Sequence, residues 1–129
     1  MKLEDQVCSL ELAKRLKELG VKQESHFYHI KERAEWRLWP YTSPGFSLEG
    51  IREHPREDWE VYSAFTVAEL GDMLPKGFYQ TFFVEDGVVV GRPDFKVLEN
   101  TFTTEKETTE ANARAQMLIY LLENKLVKP

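Results

Sequence analysis

The sequence has a single cysteine in 129 residues, Cys8, so no internal disulfide is possible and a reducing cytoplasm is the expected setting. Long apolar runs are missing as well. None approaches the ~20 residues of a membrane-spanning helix, and Met1-Lys2-Leu3-Glu4-Asp5 leads into no signal-peptide core. There is no excess of positive charge: 17 basic against 22 acidic side chains leave a net charge of -5. Residues 1–60 hold ten basic and twelve acidic side chains, and residues 61–129 hold seven and ten, so neither half is a basic arm or an acidic tail. Phosphate neutralisation supplies most of a nucleic-acid binder's affinity, and this charge balance therefore speaks against nucleic acid and against an anionic membrane surface. Glycines number seven, none in a G-x-G-x-x-G array, and neither a G-x-S-x-G elbow nor a metalloprotease helix is present.

What remains is an ordinary globular composition, 42% hydrophobic and 30% charged, over a length that suits one domain. Leu12, Leu16 and Leu19, with Ala13 beside them, form one stripe of a helix from about Ser9 to Leu19, with Lys14, Arg15, Lys17 and Glu18 on the wet side. Ser9 suits its N-cap and Gly20 its C-terminal turn. Ser25–Lys31 and Glu35–Trp39 read as strands: Tyr28 and Ile30 share one face, Trp36 and Leu38 another, with Arg37 and Trp39 pointing oppositely. Residues 40–60 form a long irregular loop containing Pro40, Pro44, Gly45, Gly50 and Pro55. Thr66-Val67-Ala68-Glu69 is a capping box opening a short helix that ends by Leu74, before Pro75. Phe78–Val84 and Val88–Val90 flank an Asp86-Gly87 turn, and Phe95–Leu98 is a further strand. Thr109 caps a last helix from Glu110 to about Asn124, whose stripe comprises Ala111, Ala115, Leu118, Ile119, Leu122 and Leu126.

The order of elements predicts one α+β domain spanning residues 1–129, an antiparallel sheet of four or five strands packed against the N- and C-terminal helices. The histidines, His26, His29 and His54, lack the spacing and the thiol partners of a zinc site, so no metal and no cofactor is expected. No motif names a reaction; a small hydrolase would need one pocket gathering His54, Asp58 and the tryptophans. The candidate binding residues are Trp36, Arg37, Trp39, Tyr41 and Trp59, an aromatic and cationic set suited to the centre of a protein interface. The alternative is that these rings cap the sheet and pin down the loop. A second functional reading is nucleic-acid binding: ELAKRLKELGVKQESHFYHIKER has the outline of a helix-turn-helix, with Leu19-Gly20-Val21 as its turn.

Taken in order, SLELAKRLKELGVKQES, TVAELGDMLP and TEANARAQMLIYLLENKLV give the chain its resemblance to small proteins encoded by bacteriophages and prophages. The closing helix is also similar to the C-terminal helix of the phage ABA-sandwich domain proteins. The resemblance covers somewhat over a third of the chain. It implies an α+β fold and a phage origin, hence the host cytoplasm, and transfers no catalytic residue. The combined expectation is a non-enzymatic phage or prophage accessory protein acting through a protein partner.

Overall fold

The computed structural model describes residues 2–32, 34–41, 60–75, 80–84, 87–91 and 109–129. A one-turn helix α1 (Leu3–Gln6) leads into α2 (Leu10–Glu18). The Ser9 hydroxyl accepts the Leu12 N–H at 3.4 Å, as its N-cap position demands. Leu16 and Ala13 are buried, with Leu12 and Leu19 packed against the same core. Gly20, at φ 92°, takes the left-handed conformation, and the Gly20 and Val21 amides return to the Lys17 and Leu16 carbonyls.

Strands β1 (Phe27–Glu32) and β2 (Glu35–Pro40) form an antiparallel hairpin with Phe27 opposite Pro40 and Glu32 opposite Glu35. A third strand, β3 (Glu60–Ser63), pairs antiparallel with the other side of β1, giving the order β2-β1-β3. The sequence pattern does not announce β3. Nor is there a second helix after α2: β1 stands where the recognition helix of a helix-turn-helix would lie.

The Tyr41 N–H donates to the His26 carbonyl at 2.8 Å, in register with the hairpin. Exchanged backbone pairs alternate along an antiparallel ladder, so Trp39, Arg37 and Glu35 turn their backbone groups toward β1. Trp36, Leu38 and Pro40 turn theirs outward. Pro40 has no N–H to offer, and the position it occupies is one that costs no hydrogen bond to β1.

The capping box is formed in full. Thr66 Oγ1 accepts the Glu69 N–H at 3.2 Å, and Glu69 Oε1 accepts the Thr66 N–H at 3.0 Å. The helix it opens, α3 (Val67–Met73), ends at Leu74, whose extended ψ of 146° precedes Pro75. The same Glu69 oxygen accepts the Ser25 hydroxyl at 2.8 Å, tying this helix to the approach to β1.

Strands β4 (Gln80–Val84) and β5 (Gly87–Gly91) pair with each other. Val84 closes on Gly87, so residues 85 and 86 separate the strands; Gly87 belongs to β5 and not to the turn expected at Asp86-Gly87. The α+β class and the antiparallel pairing are thus present. A single sheet of four or five strands is not shown, because the described strands pair as three and two. The expected strand at Phe95–Leu98 and the loop over residues 42–59 lie outside the described residues.

The closing helix α4 (Glu110–Glu123) starts at Thr109, whose hydroxyl accepts the Asn112 N–H at 3.2 Å. It packs against α1, α2, α3, β4 and β5. Ala111, Ala113, Ala115, Met117, Leu118, Leu121 and Leu122 are all buried, so the apolar surface is wider than one stripe. Residues 113 and 115 lie some 200° apart around a helix. Only small side chains let neighbours approach on both sides, and alanine fills these places. Leu126 departs from the expected stripe. Lys125, at φ 56°, turns the chain out of the helix, the Leu126 N–H returns to the Leu121 carbonyl at 2.8 Å, and the Leu126 side chain is 62% exposed. The two terminal helices are joined at the surface by Arg15, whose Nε and Nη2 reach Glu123 Oε1 at 3.1 and 3.0 Å. They are joined deeper by the Ser9 N–H, which donates to Asn112 Oδ1 at 2.8 Å.

Candidate interaction surface

Residues two apart along β2 share a face, and cross-strand partners share it too. One face of the three-stranded sheet therefore carries Trp36 and Leu38 of β2, Phe27, His29 and Lys31 of β1, and Tyr62 of β3. The other carries Glu35, Arg37 and Trp39 with Tyr28, Ile30, Val61 and Ser63.

Helix α2 lies over the first face. Trp36 and Tyr62 stand with ring centroids 6.0 Å apart, planes tilted by 35°. Lys14 Nζ sits 5.0 Å from the Trp36 centroid and 5.7 Å from that of Tyr62, and Lys17 Nζ sits 5.0 Å from Tyr62. Both cations are within the ~6 Å over which an aromatic ring attracts an ammonium. The amphipathic pattern of α2 assigns these lysines to its wet side. In the structure both ammonium groups stand over the rings, and Lys17 stays exposed, as its place on the wet side predicts.

His29, next along this face, places Nε2 2.9 Å from the Cys8 carbonyl. A carbonyl accepts only, so the ring donates from Nε2. Burial lowers the His29 pKa below its ordinary value, more than this hydrogen bond raises it, and the neutral ring is favoured. Cys8 is fully buried, and burial pushes its thiol up to about 12. A thiol held this far from its thiolate is no nucleophile at neutral pH.

The opposite face is buried at Tyr28, Ile30 and Ser63. Trp39, half-buried, is the cross-strand partner of Tyr28. Arg37 is exposed and reaches Glu35 Oε2 at 3.3 Å, a surface pair worth at most ~1 kcal/mol. Tyr41 follows the strand and is 56% exposed. The strand thus gathers four of the five candidate residues, Trp36, Arg37, Trp39 and Tyr41, but divides them, with Trp36 on the α2 side and Arg37 and Trp39 on the other. Trp59 lies outside the described residues. Lys14, Lys17 and Tyr62 join Trp36 without having been marked by the sequence pattern. The one available signal was the i, i+3 spacing of the two lysines on α2.

The two edges of this sheet differ. On β3 the outward Ser63 N–H donates to Gln23 Oε1 at 2.9 Å, and the outward Val61 carbonyl accepts from Lys17 Nζ at 3.4 Å. On β2, among the described residues, no strand pairs with the outward groups of Trp36 and Leu38.

Among the described residues no three or more His, Cys, Asp or Glu side chains are gathered for a metal, and no helix is long and apolar enough to cross a membrane. The chain matches no family model, no curated protein and no solved structure.

Proposed function

We propose that the chain is a non-enzymatic accessory protein, of the phage or prophage kind, that acts in the cytoplasm by binding another protein. Trp36, Arg37, Trp39, Tyr41 and Trp59 are its binding residues. The observation that carries this reading is the character of β2: an edge strand with partly exposed aromatic rings on both faces and an outward backbone that no described strand meets. Tryptophan, tyrosine and arginine are the residues that dominate protein interfaces, because they bury large area at little entropic cost. An edge that no described strand meets adds backbone donors and acceptors that a partner's strand can complete.

The test compares the wild type with a Trp39→Ala/Trp59→Ala double variant. Partners captured from host lysate are identified, purified and titrated against both proteins. Affinity weakened more than ~tenfold, with the fold retained by circular dichroism, supports the reading. Identical partners bound with equal affinity remove the surface.

A further inference from the structure

The unequal edges of the three-stranded sheet point to a specific occupant. Sheet edges invite pairing, and proteins usually cover or disrupt them. On the β3 edge side chains meet two of the outward groups, Gln23 the Ser63 amide and Lys17 the Val61 carbonyl. The β2 edge carries the donors and acceptors of Trp36 and Leu38 and the acceptor of Pro40, and no described strand meets them.

Consider a second copy of β2 laid antiparallel along this edge. The outward residues 36, 38 and 40 must form the exchanged pairs, which leaves five two-fold arrangements; the two that set Pro40 against Leu38 or against Pro40 complete no exchanged pair within residues 35–40, because Pro40 has no N–H to donate. Centring on Trp36 pairs only residues 35–37 before the strand runs back into its own hairpin turn. A pairing in which Trp36 meets Leu38 sets Arg37 directly against the second copy's Arg37, and like charges directly opposite are destabilising. Centring on Leu38 engages residues 36–40. Leu38 then exchanges both backbone bonds with its counterpart, and each Trp36 N–H meets the carbonyl of the second copy's Pro40, while the Trp36 carbonyl receives no N–H from Pro40 in return. On the α2 side Trp36 opposes Pro40 and Leu38 opposes Leu38. On the other side each Arg37 opposes a Trp39, a cation against a ring.

We propose that the protein self-associates through this edge, β2 pairing antiparallel with β2 of a second copy about a two-fold axis at Leu38. The three-stranded sheet becomes a continuous six-stranded one, and the interface is isologous. This inference rests on the reading of β2 as the binding strand and names its partner as the same chain.

The register makes the test specific. Directly opposed residues in an exchanged pair have Cα atoms ~5.5 Å apart, inside the ~4.4–6.8 Å that a disulfide spans. Residue 36 lies four positions from its own counterpart, ~13 Å away at ~3.4 Å per residue, beyond any disulfide. Under mild oxidation Leu38→Cys is expected to form a disulfide-linked dimer, and Trp36→Cys is not. Sedimentation equilibrium of the wild type should show a monomer–dimer equilibrium. Leu38→Pro removes the central outward N–H, as Pro40 already does without breaking the hairpin, and should weaken dimerisation at least ~tenfold.

A wild type that stays monomeric across the concentration series overturns the proposal. So does a dimer indifferent to Leu38→Pro, or cross-linking at 36 as readily as at 38. Should Leu38→Pro fail to fold, the pair of cysteine variants decides alone. A monomeric wild type whose captured partner is still lost in the Trp39→Ala/Trp59→Ala variant defeats self-pairing and leaves the binding strand intact. Unchanged capture in that variant defeats the wider reading instead.

Discussion

Arg114 occupies the place that a side chain on Gly71 would need. A Cβ built on Gly71 collides with Arg114 Nη1, which donates to the Val67 carbonyl at 2.9 Å, while Nη2 donates to Glu110 at 2.9 Å. The glycine is not there for a left-handed turn; it is the gap through which α4 reaches α3. Gly71→Ala should therefore destabilise the wild type by about 1–2 kcal/mol, because the guanidinium must abandon charge-assisted bonds in a half-buried place. In an Arg114→Ala background the same change should stabilise by up to ~1 kcal/mol, the ordinary helical preference of alanine over glycine. Urea denaturation of the four proteins measures this sign reversal. Equal effects in both backgrounds would show that the two sites are uncoupled.

His29 makes stability depend on pH. Its folded pKa is depressed below 6.5, chiefly by burial, so the unfolded chain binds the proton more readily. The stability that the neutral ring contributes is complete above pH 6.5 and is lost as the pH falls through that value toward the lower folded pKa. Denaturant midpoints recorded from pH 8 to pH 5 should decline more steeply for the wild type than for His29→Gln, which can still donate to the Cys8 carbonyl but does not titrate. Parallel curves would mean that the ring protonates freely in the fold.

Among the described residues Ser63 Oγ is buried without a hydrogen-bond partner. A hydroxyl in that position costs ~1–3 kcal/mol of desolvation that nothing returns. Ser63→Ala should leave the fold intact and raise stability by roughly 1 kcal/mol, read as a higher thermal midpoint. A lower midpoint would reveal a partner for the hydroxyl.

Leu118 and Leu126 belong to one stripe by spacing and to different environments in the fold, at 2% and 62% exposure. Leu118→Ala should cost ~2–5 kcal/mol, the price of an unfilled core cavity. Leu126→Ala should stay within ~0.5 kcal/mol of the wild type. Comparable losses would place Leu126 in the core.

The helices were legible because their signals are local. Ser9, Thr66 and Thr109 each present a hydroxyl at a helix start, and each accepts the amide three residues on. Leu12, Leu16 and Leu19 repeat at the helical period. The hairpin of β1 and β2 was legible to within two residues for the same reason. Strand β3 was not, because Glu60, Val61, Tyr62 and Ser63 are too few and too mixed to show an alternation. What makes them a strand is β1, which has a second edge to satisfy. The cluster at Trp36 was partly legible: its aromatic content is plain in the sequence. That Lys14 and Lys17 cross the rings depends on how α2 is laid over the sheet, and hydrophilicity alone sends both lysines to water. The contrast between a β3 edge met by Gln23 and Lys17 and a β2 edge that no described strand meets is a product of long-range pairing, which no local pattern encodes.

Gln23 and Lys17 also set a limit on growth. With two outward groups of β3 already engaged by side chains, a further strand is favoured on the β2 flank. Two copies joined there, as proposed, leave the β3 flanks of this sheet outermost, where Gln23 and Lys17 already hold the Ser63 amide and the Val61 carbonyl and disfavour a further strand.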